Sequence, residues 1–100
     1  MIVTTNLDGS KLTVAVEGKL GTTSAGELEK AVKDNIGGVT ELVFDFEKLD
    51  YMASSGLRVL LSAAKVMKKQ GSMKIIKVTP AVMDVFVFTG MVDVMDIEAI

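Results

Sequence analysis

Leu42-Val43-Phe44-Asp45-Phe46-Glu47-Lys48-Leu49-Asp50-Tyr51-Met52-Ala53-Ser54-Ser55-Gly56-Leu57-Arg58-Val59-Leu60-Leu61 is the stretch on which the fold turns. Its opening, Leu42-Val43-Phe44, is a short apolar run without helical spacing, which predicts a strand covered on both faces. Asp45, Phe46 and Glu47 then alternate in character and lead the chain out to solvent. After Ser54-Ser55 the period changes. Leu57, Leu60, Leu61, Ala64 and Met67 form one stripe of an amphipathic helix, and Arg58, Ser62, Lys65 and Lys69 form another. Lys68-Lys69 and then Gly71 supply the charge and the residue that a helix C-terminus favours.

The same alternation of strand and helix recurs on either side. Toward the N-terminus, Leu12, Val14 and Val16 alternate with Thr13, Ala15 and Glu17, and Asp8-Gly9 offers the positive-φ residue of a tight turn. An antiparallel hairpin over residues 1–7 and 11–17 is expected. Ser24 stands three residues before Glu27, a capping-box pattern that predicts a helix. Leu28, Ala31, Val32 and Ile36 mark its buried face, and Gly37-Gly38 stops it. Toward the C-terminus, Met73 to Val78 reads as a strand, and Thr79 before Pro80 reads as an N-cap with an N1 proline. A third helix should run from about Pro80 to Phe88, closed by Gly90, with Val92, Val94 and Ile97 in a last strand. The order β-β-α-β-α-β-α-β predicts an α/β domain with a mixed, mostly parallel sheet, three crossover helices and an N-terminal hairpin.

Composition narrows the function. A chain of 100 residues, 49% hydrophobic and 24% charged, fits one domain over residues 1–100, with a radius of gyration near ~13 Å. Its longest apolar run, Val85 to Phe88, is far short of a bilayer span, and Met1-Ile2-Val3 does not open a secretory signal. Without Cys there is no disulfide, thiolate nucleophile or thiolate metal site; without His the commonest general base and metal ligand are missing. A net charge of −2 with one Tyr, four Phe and no Trp offers nucleic acid neither a basic stripe nor a stacking platform. The expectation is a non-enzymatic chain without cofactor, metal, nucleic-acid or membrane partner, which works through its surface.

Three segments carry candidate chemistry. Gly21-Thr22-Thr23-Ser24-Ala25-Gly26 has the two-glycine spacing of a phosphate loop, but Glu27-Leu28 follows where Lys and then Ser or Thr are needed. It reads instead as a polar strand-to-helix loop. Asp45, Glu47 and Asp50 surround Lys48 without Ca²⁺-loop spacing and read as a solvated acidic loop, as do Asp93, Asp96 and Glu98; Met67 and Met83 read as core fillers. Ser54-Ser55-Gly56 is different. A hydroxyl there is expected to cap the helix, at about 1 kcal/mol, and the same place suits a phosphate, which free N–H groups and the helix dipole stabilise. Arg58 in the first turn would partly neutralise it.

Leu42-Val43-Phe44-Asp45-Phe46 followed by Leu49-Asp50-Tyr51-Met52-Ala53-Ser54-Ser55-Gly56-Leu57-Arg58-Val59-Leu60 resembles the central motif of STAS domains, the family of bacterial anti-sigma factor antagonists. Gly18-Lys19-Leu20 with Thr23-Ser24-Ala25 is similar to the family's loop into its first helix. Thr79-Pro80-Ala81-Val82, Phe86 and Thr89-Gly90-Met91 are similar to its third-helix region, so the likeness spans nearly the whole chain. It implies a cytoplasmic anti-sigma factor antagonist that works by partner switching. In that family the unmodified protein binds an anti-sigma factor serine kinase and frees a sigma factor, phosphorylation by the kinase dissolves the complex, and a metal-dependent serine phosphatase resets it. The modified hydroxyl immediately precedes the motif glycine, here Ser55, with Ser54 as second choice. The partner surface would comprise Gly21, Thr22, Thr23, Ser24, Ala53, Ser54, Ser55, Gly56, Leu57 and Arg58. Ala53 and Gly21 stand where family members commonly carry Asp, so this surface is less negative than the family's. An alternative is a phosphorylation-independent adaptor or subunit of a larger complex, and Val85-Phe86-Val87-Phe88, more than one helical face buries, is the segment expected to meet another protein.

Overall fold

The computed structural model describes residues 1–100 as one α/β unit with a Cα radius of gyration of 12.1 Å. In chain order the elements are β1 (Ile2–Asp8), β2 (Lys11–Leu20), α1 (Ala25–Asn35), β3 (Glu41–Asp45), β4 (Leu49–Met52), α2 (Ser54–Gln70), β5 (Ser72–Val78), α3 (Pro80–Thr89), a 3₁₀ turn (Met91–Asp93) and β6 (Asp96–Ala99). The hairpin closes on Gly9-Ser10 with Asp8 opposite Lys11, and Gly9 has the expected positive φ of 62°. The sheet runs β1-β2-β3-β5-β6, parallel except for β1.

Each crossover from β2 onward steps the same way across the sheet, so right-handed connections place all three helices on one face. Leu12, Val14, Leu42, Phe44 and Ile75 point to that face and join Leu28, Val32, Leu60, Met67, Val82 and Phe86 in a core of 23 buried residues. Phe46 stacks on Phe86 with ring centroids 6.5 Å apart. β3 is therefore not covered on both faces as its apolar run predicts. Val43 points away from the helices and is shielded by its neighbours in register, Thr13 and Lys74; it is buried but lies outside the core.

Two differences from the sequence reading shape the functional end of the sheet. The first is a sixth strand. β3 ends at Asp45, a turn follows, and β4 then pairs with the far half of β2, Leu20 opposite Met52. Gly18 makes this change of partner possible: with φ of 97° it kinks β2, and its N–H donates to the Lys48 carbonyl at 2.9 Å. The second is the C-terminus, where Val92 lies in the 3₁₀ turn and Val94 beyond it is exposed; only Ile97 of the three expected residues is in β6. α2 is rotated slightly from the expected stripe, with Val59 and Ala63 buried and Leu61 and Ala64 at the margin.

Candidate functional site

β2 and β4 end side by side, and each runs into a helix. The Ala53 N–H donates to the Leu20 carbonyl at 2.9 Å, so the Gly21–Ser24 loop and the first turn of α2 are neighbours. These are the two segments marked out as a partner surface, and β4, which the sequence reading missed, brings them together. Its hydrophobic ends Leu49 and Met52 are buried, while Tyr51 is 52% exposed beside the site. An exposed tyrosine at the rim of such a surface is an apt contact residue. The signal was Leu49 and Met52 bracketing two outward residues, too short a pattern to stand out.

The two helix starts are built differently. Ser24 occupies the N-cap position of α1 but has helical φ/ψ of −85° and −16°, and makes no side-chain cap. The expected capping box with Glu27 is absent. Instead the Ser24 Oγ accepts from the Gly21 N–H at 2.8 Å and donates toward the carbonyls of Lys19 (3.1 Å) and Gly21 (3.3 Å), knotting the loop. The bond goes back into the loop because Ser24 is already coiled into the helix, which turns its side chain away from the N–H groups ahead.

At α2 neither serine is the cap. Extended Ala53 holds that position, and Ser54 and Ser55 are the first two helical residues. Gly56 and Leu57 donate to the Ala53 carbonyl at 3.0 and 3.4 Å, which leaves the N–H groups of Ser54 and Ser55 without a protein acceptor. No acidic side chain lies in this first turn. Ser54 is exposed and Ser55 half-buried, and the Ser55 Oγ is shielded from solvent without a hydrogen-bond partner. The expectation that a hydroxyl here serves as the helix cap is thus corrected. Gly56 explains the depth of the turn: a Cβ on it would lie 2.7 Å from Leu20 Cδ2 and 3.0 Å from Met52 Cγ. Arg58 is exposed one turn further on and makes no ion pair. Thr79 takes the extended backbone expected before Pro80, but its hydroxyl donates to the Leu49 carbonyl at 3.1 Å and so anchors β4.

Asp45, Glu47 and Asp50 do not gather into a cation-binding set, and the Asp45 carboxylate accepts from the Glu47 N–H at 3.1 Å. No helix is long and apolar enough to cross a membrane.

A one-faced sheet with two helix N-termini paired at its end defines a small α/β domain of mixed sheet and three helices. The family model of the STAS domain matches residues 2–99, and the chain belongs to that family. A Bordetella bronchiseptica protein, BtrV, named as a candidate anti-sigma factor antagonist, is 31% identical over 90 residues, 88% of this chain and 77% of its own length. Among solved structures, an anti-sigma factor antagonist from Mycobacterium paratuberculosis matches with a TM-score of 0.88 at 19% identity, covering 97% of this chain and 84% of that one. The Bacillus cell fate determinant SpoIIAA in its phosphorylated form gives 0.76 at 21% identity, over 96% and 90% of the two chains. At such identities these two structures speak for the fold.

Proposed function

We propose that this protein is a cytoplasmic, non-enzymatic anti-sigma factor antagonist, one STAS domain over residues 1–100, whose partner surface is the paired helix starts and whose binding is switched by phosphorylation of Ser55. The observation that carries this reading is the first turn of α2: two backbone N–H groups without a protein acceptor, no acidic side chain in the turn, and a serine hydroxyl committed to no internal bond. A phosphate on Ser55 would bring about −1.5 to −2 charges to the positive end of the helix dipole, with Arg58 near, so the domain need not unfold to accept it. The charge acts instead on the partner. It adds repulsion and a desolvation cost to a surface formed by Gly21 to Ser24, Tyr51 and Ala53 to Arg58. Transfer of the phosphoryl group requires Ser55 to rotate about χ1, since its Oγ faces inward in the resting turn. The partner is an anti-sigma factor serine kinase, and a metal-dependent serine phosphatase would restore the free hydroxyl.

The test is phosphosite mapping by mass spectrometry on protein from its native cells, with bound partners recovered from the same preparation. A phosphate on Ser55, and a serine kinase bound only to the unmodified form, is the expected result. Binding by Ser55→Asp should fall at least about tenfold relative to Ser55→Ala. An unmodified Ser55 across growth and stress conditions, with unchanged partners, would overturn the switch. The second reading, a constitutive adaptor, is favoured by one observation: Val87 and Phe88 at the end of α3 are 60% and 93% exposed, an apolar surface remote in sequence from Ser55.

A further inference from the structure

Charge is unevenly divided in this chain. Of its eleven basic residues four, Arg58, Lys65, Lys68 and Lys69, lie on α2, which has no acidic residue; the rest of the chain holds seven basic against all thirteen acidic residues, a net of −6. All four are exposed and none is in an ion pair, whereas the lysines of α1 are compensated, Lys30 by Asp34 and Lys33 by Glu29, each at 2.7 Å. Beside the last turns of α2 runs a groove of about 390 Å³ between the helix, the start of β5 and the segment that leads into β6. Leu61, Ala64, Met73 and the exposed Val94 line it above the buried core side chains of Met67 and Met95, Lys65 and Lys68 stand on its helix side, and Asp96 is its one acidic lining residue. Of the groove's methionines Met73 is the partly exposed one, and its flexible side chain adapts to an inserted apolar group.

We infer that the C-terminal half of α2 with this groove is a second docking surface, and that it takes an acidic amphipathic helix of a partner protein. The apolar residues of that helix seat against Leu61, Met73 and Val94, its carboxylates meet Lys65 and Lys68 at the groove with Lys69 one residue beyond, and Asp96 repels acidic residues from the far rim and so fixes its orientation. Charge complementarity selects the occupant: a cationic stripe calls for an acidic helix, and a second copy of this chain offers none, since α2 is basic, Asp34 and Glu29 of α1 are paired with Lys30 and Lys33, and α3 carries only Asp84. A groove also suits inserted side chains better than a flat lipid or nucleic-acid surface, and this domain's net negative charge repels both. Lys68 lies fourteen residues, about 21 Å of helix, from Ser54, so both surfaces can be occupied together. The inference stands whether or not Ser55 is phosphorylated.

The test is titration of the ¹⁵N-labelled full chain with an 18-residue end-capped peptide, Leu at i, i+3, i+4 and i+7, about four Glu beside that stripe and Ala elsewhere, so that it is helical and amphipathic. Saturable shifts at the amides of Leu61, Ala64, Met73 and Val94 are expected, with no shift at Ser54 or Ser55. Lys65→Glu/Lys68→Glu should weaken binding at least about tenfold, with a small fall in melting temperature from acidic charge at the helix C-terminus, and the milder Lys65→Gln/Lys68→Gln should weaken it by less with the melting temperature nearly kept. Replacing Glu by Lys in the peptide should abolish binding. Absence of saturable shifts at 1 mM peptide (~), equal binding of the Lys peptide, or shifts confined to other residues would overturn the proposal. Stronger shifts of the same amides with anionic phosphatidylglycerol vesicles or poly-uridylate would also overturn it, in favour of a lipid or nucleic-acid polyanion.

Discussion

The starts of α1 and α2 lie side by side at one end of the sheet, each preceded by a strand and each with a serine at or just inside the helix, yet they use that serine in opposite ways. Ser24 spends its hydroxyl on three contacts within its own loop, whereas the Ser55 hydroxyl is shielded and bonded to nothing. The glycines differ too. A Cβ on Gly21 would meet nothing within 4 Å, but one on Gly56 would press on Leu20 and Met52. The lesson is a division of labour: one loop is tied internally and presents a fixed surface, while the other is held by packing beneath it and keeps a hydroxyl and two N–H groups uncommitted. A phosphate at Ser24 would break the loop; a phosphate at Ser55 breaks no existing hydrogen bond.

Substitution should expose this difference, most strongly at the glycines. Gly56→Ala should destabilise the domain by about 1–3 kcal/mol in urea melts, because the fully buried Leu20 must shift, whereas Gly21→Ala should stay within about 0.5 kcal/mol. Equal effects at the two positions would mean that packing does not hold the α2 start. Ser24→Ala comes next, at about 1 kcal/mol, since the Gly21 N–H loses its acceptor. Ser55→Ala should have the opposite sign, up to about 1 kcal/mol of added stability, because it removes a shielded and unsatisfied oxygen. The contrast collapses if chemical denaturation shows Ser55→Ala to cost as much as Ser24→Ala.

Local pattern was enough for most elements. The hairpin turn at Gly9, the length and end of α2, and the Pro80 start of α3 follow from dipeptides and from helical periodicity, which act over a few residues. Where the reading failed, the missing information was non-local. Ser24 matches a capping box by spacing, but its backbone is drawn into the helix by a loop that closes on Lys19, and spacing carries no φ/ψ. Val43 belongs to an apolar triplet, yet the single direction of the crossovers leaves its face of the sheet without helices. β4 is short and half polar, and exists because the kink at Gly18 frees the end of β2 to take a second partner.

By itself, then, the sequence determined the α/β order, the absence of His and Cys chemistry, the motif around Ser55 and the family to which it points, because each rests on residue identity and short-range period. Only the tertiary structure decided that the Gly21–Ser24 loop touches the start of α2, that neither serine caps that helix, and that its lysines border an apolar groove. These depend on strand register and on what each side chain meets across the fold. Contacts between residues distant in the chain leave no periodic trace in it.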